Sequence, residues 1–301
     1  MRSIRTFYYV TLILYLGFLN QSTVHAQAPQ VHAHRGGAGE YPENTIEAML
    51  HAVSQGVRVL ELDVHITADS LVVVSHDPFI HPSKALRPDG TRIACGTALR
   101  QVLFQMSYDK ISTYDIGSLA QAKYPQRVNI NCRIPLLSDL ISNVEVYTKK
   151  HQLAAVTYNI EIKSHPFKDN RWSPDYQTFV RLVMDVLRPR NLGSRLIIQS
   201  FDTRVLNYLH ANYPNLQLSY LVKSRWASLD KLLGKLYFTP SIISPHYKMV
   251  NQGFVNQAHS LGMKVVPWTV DRKAEVIRLR DCAVDGIITN YPSQVLDWVE
   301  E

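Results

Sequence analysis

The chain has 301 residues, of which 46% are hydrophobic, 19% charged and 10% aromatic, and a formal net charge of +7. This is enough apolar residue for one large α/β domain or two small ones, and it excludes a disordered or fibrous protein. No repeat or low-complexity tract suggests a solenoid, and the positive charge is not gathered into a Lys/Arg stripe interleaved with aromatics. Nucleic-acid binding is therefore not expected, whereas mild attraction for anionic substrates and transient contact with lipid surfaces are.

The N-terminus begins with Arg2 and Arg5, continues through an apolar run from Phe7 to Leu19, and ends in Val24-His25-Ala26. That is the layout of a secretory signal peptide cleaved near Ala26, which makes residues 27–301 the mature, periplasmic or secreted protein. The alternative is an uncleaved anchor helix, but the apolar run is short against the roughly 20 residues of a membrane span. Without Arg2 and Arg5 the 32 basic residues become 30 against 25 acidic, a net charge of +5.

From residue 30 onward, short β-rich runs alternate with helical patterns. Strands are expected at Gln30–His34, Arg58–Val64, Thr157–Lys163, Arg195–Gln199, Gln217–Val222, Ser241–Ser244, Lys264–Thr269 and Gly286–Thr289. Helices are expected at Thr45–Val53, Ser138–Lys150, Asp175–Leu187, Arg204–Ala211, Ser228–Leu233, Asn251–Ser260, Lys273–Asp281 and Pro292–Val299. Eight such alternations fit an α/β fold of the (β/α)₈ TIM-barrel type. A doubly wound open sheet is the rival, but His34-Arg35-Gly36-Gly37-Ala38-Gly39 makes no clean dinucleotide fingerprint. A further β run, Leu71–Ser75, precedes a Pro-, Gly-, Ser- and Tyr-rich stretch at about 78–134, read as an inserted cap over one end of the barrel. Of three cysteines, Cys95 and Cys132 fall in this stretch and could staple it, with a stabilisation of roughly 3–4 kcal/mol. Cys282 reads as a buried apolar residue of a helix.

The strand polar residues obey parity. In Leu60-Glu61-Leu62-Asp63-Val64 the aliphatics share one face and the carboxylates the other, and Ile160-Glu161-Ile162-Lys163 repeats the split. With the aliphatic face on the helices, Glu61, Asp63 and Glu161 look into the barrel mouth. Unpaired burial there costs several kcal/mol per ion, so a cation belongs among them. A hard divalent ion suits the all-oxygen set, with Lys163 sharing the charge, and a structural salt-bridge cluster is the alternative. His34 and His76 each close a β run, and Arg35 follows the first. Two histidines, three carboxylates and a guanidinium are the parts needed for phosphoryl transfer.

The ordered set His34-Arg35-Gly36, Glu43-Asn44-Thr45, Glu61-Leu62-Asp63-Val64, His76-Asp77 and Glu161-Ile162-Lys163 resembles the glycerophosphodiester phosphodiesterase family, of the exported bacterial type. Tyr114-Asp115-Ile116-Gly117-Ser118, Ile134-Pro135-Leu136, Pro267-Trp268-Thr269-Val270 and Asp285-Gly286-Ile287-Ile288-Thr289 extend the resemblance over nearly the whole mature chain. It implies a metal-dependent enzyme that splits a glycerophosphodiester into an alcohol and sn-glycerol 3-phosphate through a cyclic phosphate. Glu61, Asp63 and Glu161 would hold one Ca²⁺ or Mg²⁺, and His34 and His76 would be the acid/base pair. Arg35 and Lys163 would bind the phosphodiester, and Trp268 would wall the substrate pocket. The family suggests His34 as first base and His76 as first acid.

Other residues have plainer readings. Asn44 with Glu47 reads as an N-cap and capping box for the first helix, and Glu43 either supports the metal site or holds Arg35. His32 packs deeper in the barrel than His34, and His246 sits at the mouth end. Two stretches depart from the family: Pro78-Phe79-Ile80-His81-Pro82-Ser83-Lys84 replaces an Arg-Thr-Thr-x-Gly-like run, and Asn290 stands where an Asp is common. Rival functions are a phospholipase D acting on lysophospholipids, a glycoside hydrolase, which needs no such histidine–arginine trio, and a non-catalytic phosphoester-binding module. The residues leave open the headgroup, the choice of ion and the oligomeric state.

Overall fold

A computed structural model describes residues 28–94, 96–97, 101–224 and 227–301. The expected signal segment 1–26 and Cys95 lie outside these residues. Cys132 is a buried free thiol, its pKa pushed up to about 12 by burial and by Glu47. Among the described residues no helix is long and apolar enough to cross a membrane.

The elements run β1 (Gln30–Ala33), α1 (Ile46–Ser54), β2 (Val59–Ile66), β3 (Val72–Val74), α2 (Tyr108–Ile111), α3 (Leu137–Lys150), β4 (Thr157–Ile162), α4 (Tyr176–Leu187) and β5 (Leu196–Ser200). Then follow α5 (Thr203–Asn212), β6 (Gln217–Val222), α6 (Leu229–Leu233), β7 (Ile242–Pro245), α7 (Gln252–Ser260), β8 (Lys264–Val265), α8 (Lys273–Asp281), β9 (Gly286–Thr289) and α9 (Pro292–Glu300). The parallel strands are ordered β8-β7-β6-β5-β4-β2-β1-β9, and β3 pairs antiparallel with β2. Backbone bonds from Asp285 N to Val265 O, Ile288 N to Pro267 O and Val270 N to Ile288 O bring the β8 segment against β9 and close the ring. The chain is thus the TIM barrel that strand counting predicts.

Two expectations need correction. The strand expected at Lys264–Thr269 is shorter, with β8 ending at Val265: Pro245 at the end of β7 has no N–H to give Val266 O, and pairing resumes only at Trp268, whose N–H donates to Pro245 O at 3.0 Å. The cap of α1 is Thr45, whose hydroxyl oxygen accepts from Ala48 N at 3.1 Å, and not Asn44. Asn44 has φ 60°, and its side chain turns inward instead.

Parity sorts the barrel as expected. Leu60, Leu62 and Val64 face outward into the large core beneath the helices, alongside Phe179, Val183 and Leu187 of α4. Burying each such side chain stabilises by about 1.5–3 kcal/mol. Inside the ring, Ile197, Ile242, Val266 and Ile288 form a small apolar plug. His32, Asn159 and Gln199 are buried with them, and Asn159 Nδ2 donates to Gln199 Oε1 at 3.2 Å. The segment between β3 and α3 is built on its own apolar cluster, including Ile80, Leu103, Ile111, Tyr114 and Ile134. Cys282 is half-buried and stands just past the end of α8.

Candidate active site

The site is built where β1 ends. After Ala33 the chain makes a single tight turn, His34–Gly36, in which Arg35 and Gly36 have positive φ (54° and 82°), as does Gly37 just after it (97°). A side chain at Gly36 would meet Ala48 Cβ at 2.8 Å, so glycine lets α1 pack against the turn. Arg35 has no such excuse, and its left-handed backbone is a strain of about 1–3 kcal/mol held by its contacts. Its N–H donates to Glu61 Oε2 at 2.8 Å, while its guanidinium reaches Glu43 Oε2 at 3.0 Å and Asp63 Oδ2 at 3.3 Å.

Glu61, Asp63 and Glu161 are all buried, and one oxygen from each lies within 4.8 Å of the others. Their charges are only partly answered. Lys163 Nζ sits 2.9 Å from Glu161 Oε1 and 3.4 Å from Asp63 Oδ1, an oxygen that makes no hydrogen bond. Burial, then Asp63 and Glu161, raises the Glu61 carboxyl well above its usual range. Asp63 goes the other way: burial opposes ionisation, but Lys163 and Arg35 hold it well below. A crowded set of hard oxygen donors, with one oxygen unbonded and one carboxyl strained toward protonation, fits a divalent cation.

Around this cluster the other expected residues are brought together. A cavity of about 260 Å³ is lined by His34, Arg35, Glu61, His76, Glu161, Lys163 and Trp268, together with Gln199, Phe201 and Lys223. His76 Nδ1 pairs with Asp77 Oδ1 at 2.9 Å, and Lys84 Nζ bridges Asp77 Oδ2 and Glu43 Oε1, each at 2.7 Å. Glu43 therefore holds Arg35, the second of its two expected roles. Burial works against its charge, but Arg35 and Lys84 lower its pKa to about 2. His34 Nδ1 lies 2.6 Å from Asn290 Oδ1, and burial, then Arg35, lowers its pKa to about 3. Trp268 stands edge-on to Phe201 and to His246, with its indole N–H donating to Ser244 O at 2.9 Å.

The model of the glycerophosphoryl diester phosphodiesterase family matches residues 34–294. The chain belongs to that family. A glycerophosphodiester phosphodiesterase of Bacillus subtilis is 29% identical over 272 residues, 86% of this chain and 83% of that protein. A lysophospholipase D of Rattus norvegicus is 25% identical over 89% of this chain and 85% of its own length. A Silicibacter pomeroyi protein whose crystal structure bears the same family name matches with a TM-score of 0.81 at 26% identity, covering 91% of this chain and 93% of that one.

Several residues of this family member escaped the sequence reading. Asn44 was expected as a helix cap, yet its Nδ2 donates to Asp63 Oδ2 at 2.9 Å and its Oδ1 accepts from Asp63 N at 3.1 Å. Gln199 donates to Glu61 Oε1 at 2.8 Å. It stands at inward parity in β5, a polar residue among aliphatics, which was its signal. His65 continues the inward face of β2 past Asp63; it is buried, and its Nε2 lies 3.2 Å from His76 O. Lys84 had no signal, because its partners lie 7 and 41 residues away along the chain.

Proposed function

We propose that this protein hydrolyses glycerophosphodiesters to an alcohol and sn-glycerol 3-phosphate. The observation that carries the reading is one cavity lined by two histidines, an arginine, two lysines and two members of a buried three-carboxylate cluster, in a member of this family. Glu61, Asp63 and Glu161 would hold Ca²⁺ or Mg²⁺, which when bound supplies positive charge for the phosphate oxygens.

Arg35 and Lys163 position the phosphodiester by charge-assisted hydrogen bonds. His34, neutral because it is buried beside Arg35, takes the proton of the glycerol 2-hydroxyl as that oxygen attacks phosphorus. His76, oriented by Asp77, gives its proton to the headgroup oxygen as the phosphorus–oxygen bond breaks. The roles then reverse: His76 accepts a proton from water as it attacks the phosphorus of the cyclic phosphate, and His34 returns its proton to the glycerol 2-oxygen as that oxygen's bond to phosphorus breaks. Trp268 and Phe201 offer an apolar wall for the substrate's carbon atoms.

The test is release of glycerol 3-phosphate from glycerophosphocholine by residues 27–301, with and without EDTA. Release that stops with chelator and returns with Ca²⁺ or Mg²⁺ is the expected result, and no release with either ion overturns the reading. A second reading is a lysophospholipid substrate. It is favoured by Phe167, 89% exposed just beyond β4, and Phe201, 43% exposed beyond β5, both at the end of the barrel that carries the cavity. Turnover of lysophosphatidylcholine in place of glycerophosphocholine decides for it. We further propose export with cleavage after Ala26, which the mass of the mature protein checks.

A further inference from the structure

Asn290 and Asp271 make no contact with the carboxylate cluster, yet they lie directly behind His34. Asp271 Oδ1 accepts from the Asn290 backbone N–H at 2.9 Å and from the Thr289 hydroxyl at 3.2 Å. Its Oδ2 accepts from Asn290 Nδ2 at 2.7 Å. Asn290 is buried, and its carbonyl oxygen accepts from Gly39 N at 2.9 Å, tying β9 to the turn that carries His34.

These bonds leave no freedom in how the amide is placed. A carboxylate only accepts, so the Asn290 NH₂ must face Asp271, and its Oδ1 must then face His34. That oxygen also only accepts, so Nδ1 is the ring nitrogen that carries hydrogen. In the neutral imidazole the lone pair is then at Nε2. We propose that Asp271 is a positioning residue, which sets the tautomer of His34 through the Asn290 amide and so makes Nε2 the basic nitrogen. This rests on the reading of His34 as the first base.

The same logic predicts that a nearly isosteric change will invert the chain of bonds. The Asn290 backbone N–H cannot be reversed, so in Asp271→Asn the new carbonyl oxygen must stay there and the new NH₂ must take the place of Oδ2. Two NH₂ groups would then face each other, and Asn290 flips to relieve them. Its NH₂ now meets His34 Nδ1, which must accept, and the proton moves to Nε2. In the double variant Asp271→Asn/Asn290→Asp an acceptor stands beside His34 again, and the original tautomer returns.

The experiment is a two-bond ¹H–¹⁵N correlation spectrum of histidine-labelled protein, with the His34 signals assigned by their loss in His34→Gln, alongside steady-state kinetics. The expected result is hydrogen on Nδ1 in wild type, on Nε2 in Asp271→Asn, and on Nδ1 again in the double variant. Because a positioned base contributes about 10²–10⁴-fold, kcat should fall at least about 100-fold in Asp271→Asn, with KM little changed. The double variant should regain at least tenfold of this. A neutral wild-type ring with hydrogen on Nε2, or Asp271→Asn with hydrogen still on Nδ1, overturns the relay. A flipped tautomer with kcat within twofold of wild type leaves the relay standing and overturns His34 as base. Should Asp271→Asn not fold, the wild-type and double-variant spectra decide, and a ring with hydrogen on Nε2 and none on Nδ1 in either overturns the relay.

Discussion

The two histidines are held by opposite kinds of surroundings. His34 stands on the barrel wall between β1 and β9, its Nδ1 against the neutral amide of Asn290, with the nearest support a further bond away at Asp271. His76 stands at the foot of the inserted segment, its Nδ1 against the Asp77 carboxylate, which Lys84 ties in turn to Glu43 and Arg35. Burial beside Arg35, with a neutral acceptor at Nδ1, favours a His34 ring with one proton, whereas the Asp77 carboxylate fixes which way the His76 ring faces. The difference teaches that two rings of one residue type can be oriented in one cavity by unlike partners, one by a neutral amide and one by a carboxylate that a lysine holds.

The largest test of this comparison is to remove each ring. His34→Ala and His76→Ala should each lower kcat at least about a thousandfold, or about 4 kcal/mol of transition-state stabilisation, while thermal unfolding changes little. Near-wild-type turnover in either variant would dissolve the pairing. Next comes the shared floor of the site: Glu61→Gln should weaken Ca²⁺ or Mg²⁺ binding by about 100-fold or more, read by calorimetry. Unchanged affinity would take Glu61 out of the ion's donor set.

Lys84→Met probes the charged side alone. It leaves Glu43 and Asp77 without their common cation and should cost about tenfold in kcat, while the His34 tautomer in the NMR spectrum stays as in wild type. A changed tautomer would mean that the two supports are not separate.

The smallest effect concerns His32, deep in the barrel, whose pKa is lowered to about 3 by burial and then by Lys264. Between about pH 6.5 and 3 the unfolded chain binds a proton there that the folded protein refuses, so stability falls as pH falls through that window. His32→Gln should flatten the slope of unfolding free energy against pH by up to about 1.4 kcal/mol per pH unit there. An unchanged slope would show that His32 takes up its proton without unfolding.

Much of the site is legible because strands repeat every two residues. Glu61, Asp63 and Glu161 stand at positions where aliphatics alternate with charge, and that alternation alone puts three carboxylates on one inner wall. His34 and His76 are legible as polar residues ending β runs. Asn44 misleads, because an Asn three residues ahead of Glu47 satisfies the local rule for a helix cap, while Thr45 beside it satisfies the rule as well. Only the approach of β2 decides between them, by presenting Asp63 to the Asn44 amide.

By itself, then, the order of residues determined the barrel, the strand faces and the identity of the charged groups in the mouth, for these follow from periodicity and the cost of burying unpaired charge. What the tertiary structure alone decided is how each group is held. Asn290 meets His34 across 256 residues of sequence, Gln199 meets Glu61 across 138, and Lys84 meets Glu43 across 41. Hydrogen bonds reach about 3 Å and depend on direction, so a pairing between distant residues is set only when closure of the ring brings their strands together.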